Sequence, residues 1–351
     1  MRTKIFVMTH KKFDEPQNPI YIPLQVGKAE AEDLGYLGDD TGDSISHKNK
    51  YYGELTGLYW LWKNYSDVDI IGICHYRRYF SGEGKELLDQ EDYEQILSHV
   101  DIIVSNPMYV EGAYLDYFGE AHHVEDLLAA GDVIRELYPH DYDAFLNVVN
   151  GSKYYYGNLC VTTKTIFDDY CEWLFSIFSE LEKRVDVSGY DAYHKRLYGF
   201  ISEQLLLVYI TARNLSLYEG KIRYTSEKAE TVEFKLAMSQ LVKMGEFSQA
   251  REMYYQYIQM RPDICLELSD LRKEIPDIEL VLYILEQEKL QGEEHFYQIS
   301  HNLRELIAHL RNIRKIVIRE SENNKLQMDD QQYLEQNHVT AFVKELIRVN
   351  L

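Results

Sequence analysis

At 351 residues, 45% hydrophobic and 27% charged, the chain has the balance of a soluble globular protein and the length of two domains rather than one. Its formal net charge of −21 excludes general nucleic-acid binding, because a phosphate backbone requires a cationic face, but leaves room for a local cationic pocket around one phosphorylated ligand. No run of about eighteen apolar residues is present, and Met1–His10 is too short in apolar length for a signal peptide, so a cytoplasmic protein is expected.

In chain order, Thr3–Thr9 reads as a buried strand running into Thr9-His10-Lys11. An irregular stretch with Pro16, Pro19 and Pro23 follows, then the acidic loop LGDDTGDSIS at 37–46. Between Tyr51 and Tyr65 the residues Leu55, Leu58, Tyr59 and Trp62 share one helical face. Val68–Cys74 reads as a second buried strand, and a helix around Tyr93–Val100 precedes a third strand at Asp101–Ser105. Val124–Leu137 and Asp141–Val149 read as helices and Gly157–Thr162 as a strand. Lys164–Leu181 is a strongly patterned helix, with Phe167, Tyr170, Cys171, Leu174 and Phe178 on one side, and Phe200–Ala212 is a further apolar helix. Strands alternating with helices predict an α/β sheet covered on both faces.

From Val232 onward only helical patterns occur. Residues 236–263 read as a helix, a glycine turn, a second helix and a proline stop, which resembles a single tetratricopeptide-like hairpin. Further helices are expected at about 276–290, 294–319 and 330–349, giving an α/β domain over 1–224 and an all-α domain over 225–351. The run LRELIAHLRNIRKIVIR at 303–319 joins basic residues to a broad apolar stripe. A core helix with a solvated basic face carries that pattern, as does a helix lying on an anionic membrane surface or at a dimer contact. Cys74, Cys160, Cys171 and Cys265 form no CxxC pair and read as reduced thiols, without disulfides or a zinc site.

Four constellations can carry chemistry. The run GICHYRRYF at 72–80 ends an apolar strand in His75, Tyr76, Arg77 and Arg78, where paired arginines can fork onto phosphate oxygens; structural ion pairing is the bland alternative. Asp39-Asp40-Thr41-Gly42-Asp43 could hold a divalent cation on a diphosphate, although solvated turn chemistry is the commoner use of such a run. Tyr154-Tyr155-Tyr156-Gly157-Asn158 offers aromatic faces, a close backbone approach and an amide. In YHKRLYGFISEQLL at 193–206, Arg196 precedes Ser202-Glu203; the glutamate is either a helix-start residue or a general base. His10, His47 and His123 read as polar contacts, since no HExxH spacing exists, and GxGxxG, GxxxxGK[ST] and GxSxG are all missing.

The blocks GDDTGDSISHKNKYYGELTGLYWLWKN, IGICHYRRYF, YYYGNLCVTTKTIFDDYCEWLF and RLYGFISEQLL together resemble one bacterial family long catalogued as a domain of unknown function, over roughly residues 3–220. Its members occur in capsule, exopolysaccharide and O-antigen clusters, and some are assigned as glycosyltransferases, including galactofuranosyl transfer. The resemblance implies a GT-A-like, Rossmann-type single sheet that takes a sugar from a UDP-sugar donor and passes it to a hydroxyl of a lipid-linked oligosaccharide at the inner membrane face. It places Thr9, His10, Lys11, Asp40, His75, Tyr76, Arg77 and Arg78 at the donor. Tyr155, Tyr156, Asn158 and Arg196 fall on the sugar and acceptor side. An inverting reaction needs a base, for which Glu203 is the first candidate and Asp43 the second. Where GT-A enzymes carry a metal-binding Asp-x-Asp, this chain has His75-Tyr76-Arg77, which points to cationic side chains rather than Mn or Mg at the leaving diphosphate. Two other readings stay open: a scaffold protein with a degenerate nucleotide-sugar domain, and a phosphoryl-handling enzyme using the same arginines.

Overall fold

A computed structural model describes residues 1–261, 264, 269–323 and 326–350; Cys265 and the Pro262-Asp263 stop lie outside the described residues. The chain forms two compact units, Met1–Thr225 and Ser226–Leu351.

Unit 1 contains ten strands: β1 Thr3–Thr9, β2 Tyr21–Gln25, β3 Leu37–Gly38, β4 Ile70–His75, β5 Arg78–Ser81, β6 Ile102–Ser105, β7 Met108–Tyr109, β8 Lys153–Tyr154, β9 Cys160–Thr163 and β10 Leu217–Tyr224. Eight join one mixed sheet, while β7 and β8 form a separate antiparallel ribbon, so the expected single sheet has a small companion. Strands β3, β2, β1 and β4 run parallel, and β9 lies antiparallel to both β4 and β6. Strand β10 runs parallel to β6 and antiparallel to β5, which returns to β4 through the pair His75 and Arg78.

Alternation sorts the two faces of the sheet. Phe6, Met8, Ile71 and Ile73 pack into the larger core with the helices Leu55–Asn64, Lys164–Leu181 and Leu197–Ala212. Ile5, Val7, Ile70 and Cys74 pack on the opposite face with Tyr21, Tyr79, Phe80 and Tyr93. Between them Gly72 has no room for a side chain: a Cβ there would lie 2.5 Å from Ile5 Cδ1. Strands covered on both sides in this way are apolar along their length, which is why β1 and β4 are plain in the sequence.

Several elements were not expected. Strand β2 includes Pro23, yet Val26 donates its backbone N–H to Thr9, so the even-numbered residues serve the β1 ladder. The missing donor of Pro23 faces the other edge, where β3 pairing starts only at Leu24. Strand β10 carries little apolar patterning, whereas the helix Tyr114–Ala121 buries Tyr114 and Phe118 one turn apart but is only eight residues long. The helix expected over 51–65 is two, Asn49–Tyr52 and Leu55–Asn64, split at Gly53 with φ 55°.

Unit 2 is all-helical among the described residues. The helices Ala229–Lys243 and Phe247–Met260 form the hairpin, turned at Gly245 with φ 72°. The stretch 294–319 divides into His295–Ile299 and Leu303–Asn323, and 330–349 into Met328–Gln336 and Ala341–Val349, the last capped by Thr340. The apolar stripe at 303–317 is core: Leu306, Leu310, Ile313 and Val317 are fully buried. Arg311 and Arg314 pair with Asp277 at 2.6 and 2.7 Å, and Arg319 pairs with Asp330, so three of the basic residues of the run are paired within their own domain. No helix among the described residues is long and apolar enough to cross a membrane.

Candidate active site

Strands β1 and β4 end side by side, with Met8 opposite His75. Thr9 closes the first end by bonding through Oγ1 to both the carbonyl and the N–H of Lys11, at 2.6 and 3.2 Å. Tyr76, from the second end, receives the edge of the exposed His10 ring at 5.5 Å and the Lys11 ammonium at 5.0 Å. Five residues expected at a donor, namely Thr9, His10, Lys11, His75 and Tyr76, are thus brought together by two parallel strands at their carboxyl ends, where open α/β sheets bind ligands.

The chain then turns back into β5, and this turn buries Arg77 and Arg78 at 6% exposure each. The Arg78 guanidinium lies 4.5 Å over the Tyr156 ring and 5.9 Å from that of Tyr224, and its Nε has no hydrogen-bond partner. Burial works against its charge, but Tyr156, Tyr224, Glu203 and Glu54 more than offset this and hold it protonated. Gly157, with φ 91°, leaves the space that Arg78 Nη1 fills.

Glu54 sits at the start of the helix Leu55–Asn64 and is largely buried. Its Oε1 accepts from Asn158 Nδ2 at 2.9 Å and lies 4.0 Å from His75 Nε2. Asn158 adopts left-handed backbone with φ 52°, and its amide is fixed from the other side by Ser202 Oγ, which donates to Oδ1 at 3.0 Å. Glu203 Oε1 accepts the Gly157 N–H at 3.0 Å. Burial, reinforced by Arg77, Arg78 and Arg196 against the pull of Glu54, lowers His75 to about 4, so the imidazole is neutral at pH 7. Arg196 is exposed and stacks 5.7 Å from Phe200.

The cluster therefore contains Glu54, His75, Arg77, Arg78, Tyr156, Asn158, Glu203 and, in the field of His75 and Glu54, Arg196. It does not contain three residues singled out from sequence. Tyr155 is 1% exposed and sends its hydroxyl to Glu219 at 2.7 Å. Asp40 is exposed on the loop after β3. Asp43 accepts from Tyr59 at 3.0 Å and its backbone N–H donates to Asn64, ten residues along the helix from Glu54 and so ~15 Å away. Asp39 is buried as a loop staple, accepting from the backbone of Gly27 and Lys28 and from Ser46. Glu54 is the residue sequence reasoning missed, although it stands inside the block GELTGLYWLWKN.

A divalent cation does not fit this donor set: the strand end supplies two buried guanidinium groups and an imidazole instead of paired carboxylates. Among the described residues one carboxylate trio, Glu227, Asp270 and Glu274 of unit 2, is arranged closely enough for a metal. The Lys235 ammonium already fills it, at 2.7, 2.6 and 2.9 Å. A shallow cavity of about 490 Å³ lies further along the helix Leu197–Ala212, lined by Asn147, Leu207 and Leu217 among others, and touches none of the cluster.

The solved apo structure of the WbbM bifunctional glycosyltransferase superposes with a TM-score of 0.61 at 32% sequence identity. The match covers 65% of this chain but 46% of that one, so the chain spans less than half the length of that relative. No curated protein matches the chain. Residues 4–214, which include every residue of the cluster, match the model of a domain of unknown function, DUF4422, and the chain belongs to that family.

Proposed function

We propose that unit 1 is a GT-A-type glycosyltransferase that moves a sugar, galactofuranose or another hexose, from a UDP-sugar to a hydroxyl of a cell-surface polysaccharide precursor. The observation that carries this reading is the buried guanidinium of Arg78, held protonated at the carboxyl ends of the strands with an unpartnered Nε. The 32% identity to a glycosyltransferase supports it.

In this reading Arg77, Arg78 and the neutral His75 receive the diphosphate, and Tyr76 with His10 and Lys11 borders the nucleoside. As the bond from the anomeric carbon to the diphosphate breaks, its electron pair leaves on the phosphate oxygens, and fixed cations in a water-poor site stabilise that charge without reorganising. The acceptor oxygen bonds the anomeric carbon from the opposite face and its proton passes to Glu203, giving inversion. Tyr156, Asn158 and Arg196 line the sugar and acceptor side. The acceptor is a lipid-linked oligosaccharide reached from the cytoplasmic face of the membrane. Leaving-group stabilisation by side chains makes donor binding independent of Mn or Mg.

Calorimetry with UDP, GDP, CMP and dTDP, with and without chelator, tests this. UDP is expected to bind equally in both conditions and to lose at least ~10-fold in affinity in Arg78→Ala, the worth of one charge-assisted bond. Nucleotide binding that is intact in Arg77→Ala and Arg78→Ala would overturn the assignment.

A further inference from the structure

The transferase reading above assigns every charged group of the cluster except Glu54. We infer that Glu54 faces the anomeric carbon and stabilises the positive charge that develops there, acting as a fixed anion and not as a proton acceptor. The inference rests on the transferase reading and deepens it.

Three observations converge. First, Glu54 is a carboxylate placed among cations meant for an anionic ligand, which is costly for ligand binding unless the charge serves the reaction. Its neighbours His75 and Asn158 come from β4 and from the turn before β9, so it lies between the leaving-group side and the sugar side. Second, it is locked. Ser202 holds Asn158, Asn158 holds Glu54 Oε1, and the residue stands at the positive end of the helix Leu55–Asn64. Third, it stays ionised: burial alone would raise its carboxyl, but His75 as it protonates in acid, Arg196 and the Asn158 amide outweigh burial and hold it below the usual carboxylate range. A carboxylate held below that range is a poor base at neutral pH, which leaves the proton of the acceptor to Glu203.

The transition state of glycosyl transfer is dipolar, negative on the departing diphosphate and positive on the sugar ring. A pocket in which Arg77 and Arg78 sit buried at the strand end and Glu54 lies beside His75, tied to Asn158, offers charge of both signs to that separation. The electron pair of the broken bond leaves on the diphosphate, the acceptor oxygen supplies the new pair, and its proton goes to Glu203. Glu54 gains and loses nothing; it lowers the energy of the intervening charge separation.

Glu54→Gln separates charge from shape, because the amide oxygen can still accept from Asn158. Removing one preorganised electrostatic group costs ~10²–10³-fold in kcat in comparable sites, and that loss is expected here. KM for the donor stays close to wild type and UDP binds as well or more tightly, since an anion has left the phosphate pocket. Glu54→Asp, which keeps the charge on a shorter arm, recovers part of kcat. Turnover of Glu54→Gln within about threefold of wild type overturns the inference. So does a parallel loss of UDP affinity and thermal stability, which would mark Glu54 as scaffolding for Asn158. A wild-type protein that neither binds nor turns over any nucleotide sugar removes the transferase reading itself, and this inference with it.

Discussion

Gly157→Ala is the sharpest probe of the cationic pocket, because it moves Arg78 without touching its charge. Gly157 has φ 91°, where an L side chain is strained by ~1–3 kcal/mol. The added methyl would also collide with Arg78 Nη1 and meet Leu159 Cδ1 at 3.0 Å. To yield, the guanidinium must leave its seat 4.5 Å over Tyr156, forfeiting a cation–π contact of ~0.5–2 kcal/mol. The two contributions together come to ~1.5–5 kcal/mol, which for a unit of this size lowers Tm by roughly 3–20 °C. Gly84→Ala is the control: φ is 71°, but nothing lies within 4 Å of its Cβ, so it carries the backbone strain alone. UDP affinity measured by calorimetry below both transitions should fall ~10–100-fold in Gly157→Ala, the loss of one charge-assisted bond of ~1.5–3 kcal/mol, and stay at wild type in Gly84→Ala. Full UDP affinity in Gly157→Ala, with its Tm lowered, would refute the placement of Arg78 against phosphate.

Two further predictions concern unit 2. His309 is buried against Tyr333 and burial lowers it to about 4, so the unfolded chain binds the extra proton and stability is lost as pH falls from about 6.5 toward 4. By pH 5 the loss is ~2 kcal/mol, visible as a drop of several degrees in Tm relative to pH 7 and reduced in His309→Leu. Lys235→Met leaves Glu227, Asp270 and Glu274 facing one another without their cation, at a cost of ~3–5 kcal/mol. One carboxylate oxygen from each of the three lies within 4.8 Å of the others, close enough to share a cation, so millimolar Ca²⁺ should recover part of the lost Tm in this variant and leave wild type unchanged.

How much of the fold the sequence reveals depends on how each element is buried. Strand β1 and the helices Val124–Leu137 and Lys164–Leu181 match their expected limits residue for residue, because an unbroken apolar run or an apolar stripe marks them. Strand β10 escapes notice because its residues are mostly half-exposed and its sequence LYEGKIRY alternates charges with small and aromatic groups. Its identity comes from its neighbours, β6 on one side and β5 on the other, and pairing of that kind leaves no local trace.

The site shows the same division between local and distant information. Arg77 and Arg78 are legible because an apolar strand delivers them to its own end. Among the tyrosines at 154–156 the choice turns on alternation: Tyr156 faces Arg78 and Tyr155 faces Glu219, and nothing in three identical letters says which. Glu54 is harder still. Alone it is an ordinary acid before a helix, and its meaning arises from Asn158, 104 residues later, and from His75 on another strand. The chain carries a net charge of −21 and still builds a positive pocket, because burial, not composition, decides which charges a ligand feels. Inside that pocket a single ionised carboxylate matters more than the many exposed ones, since the field of a surface acid fades within ~10 Å in salt while Glu54 acts through protein across a few ångströms.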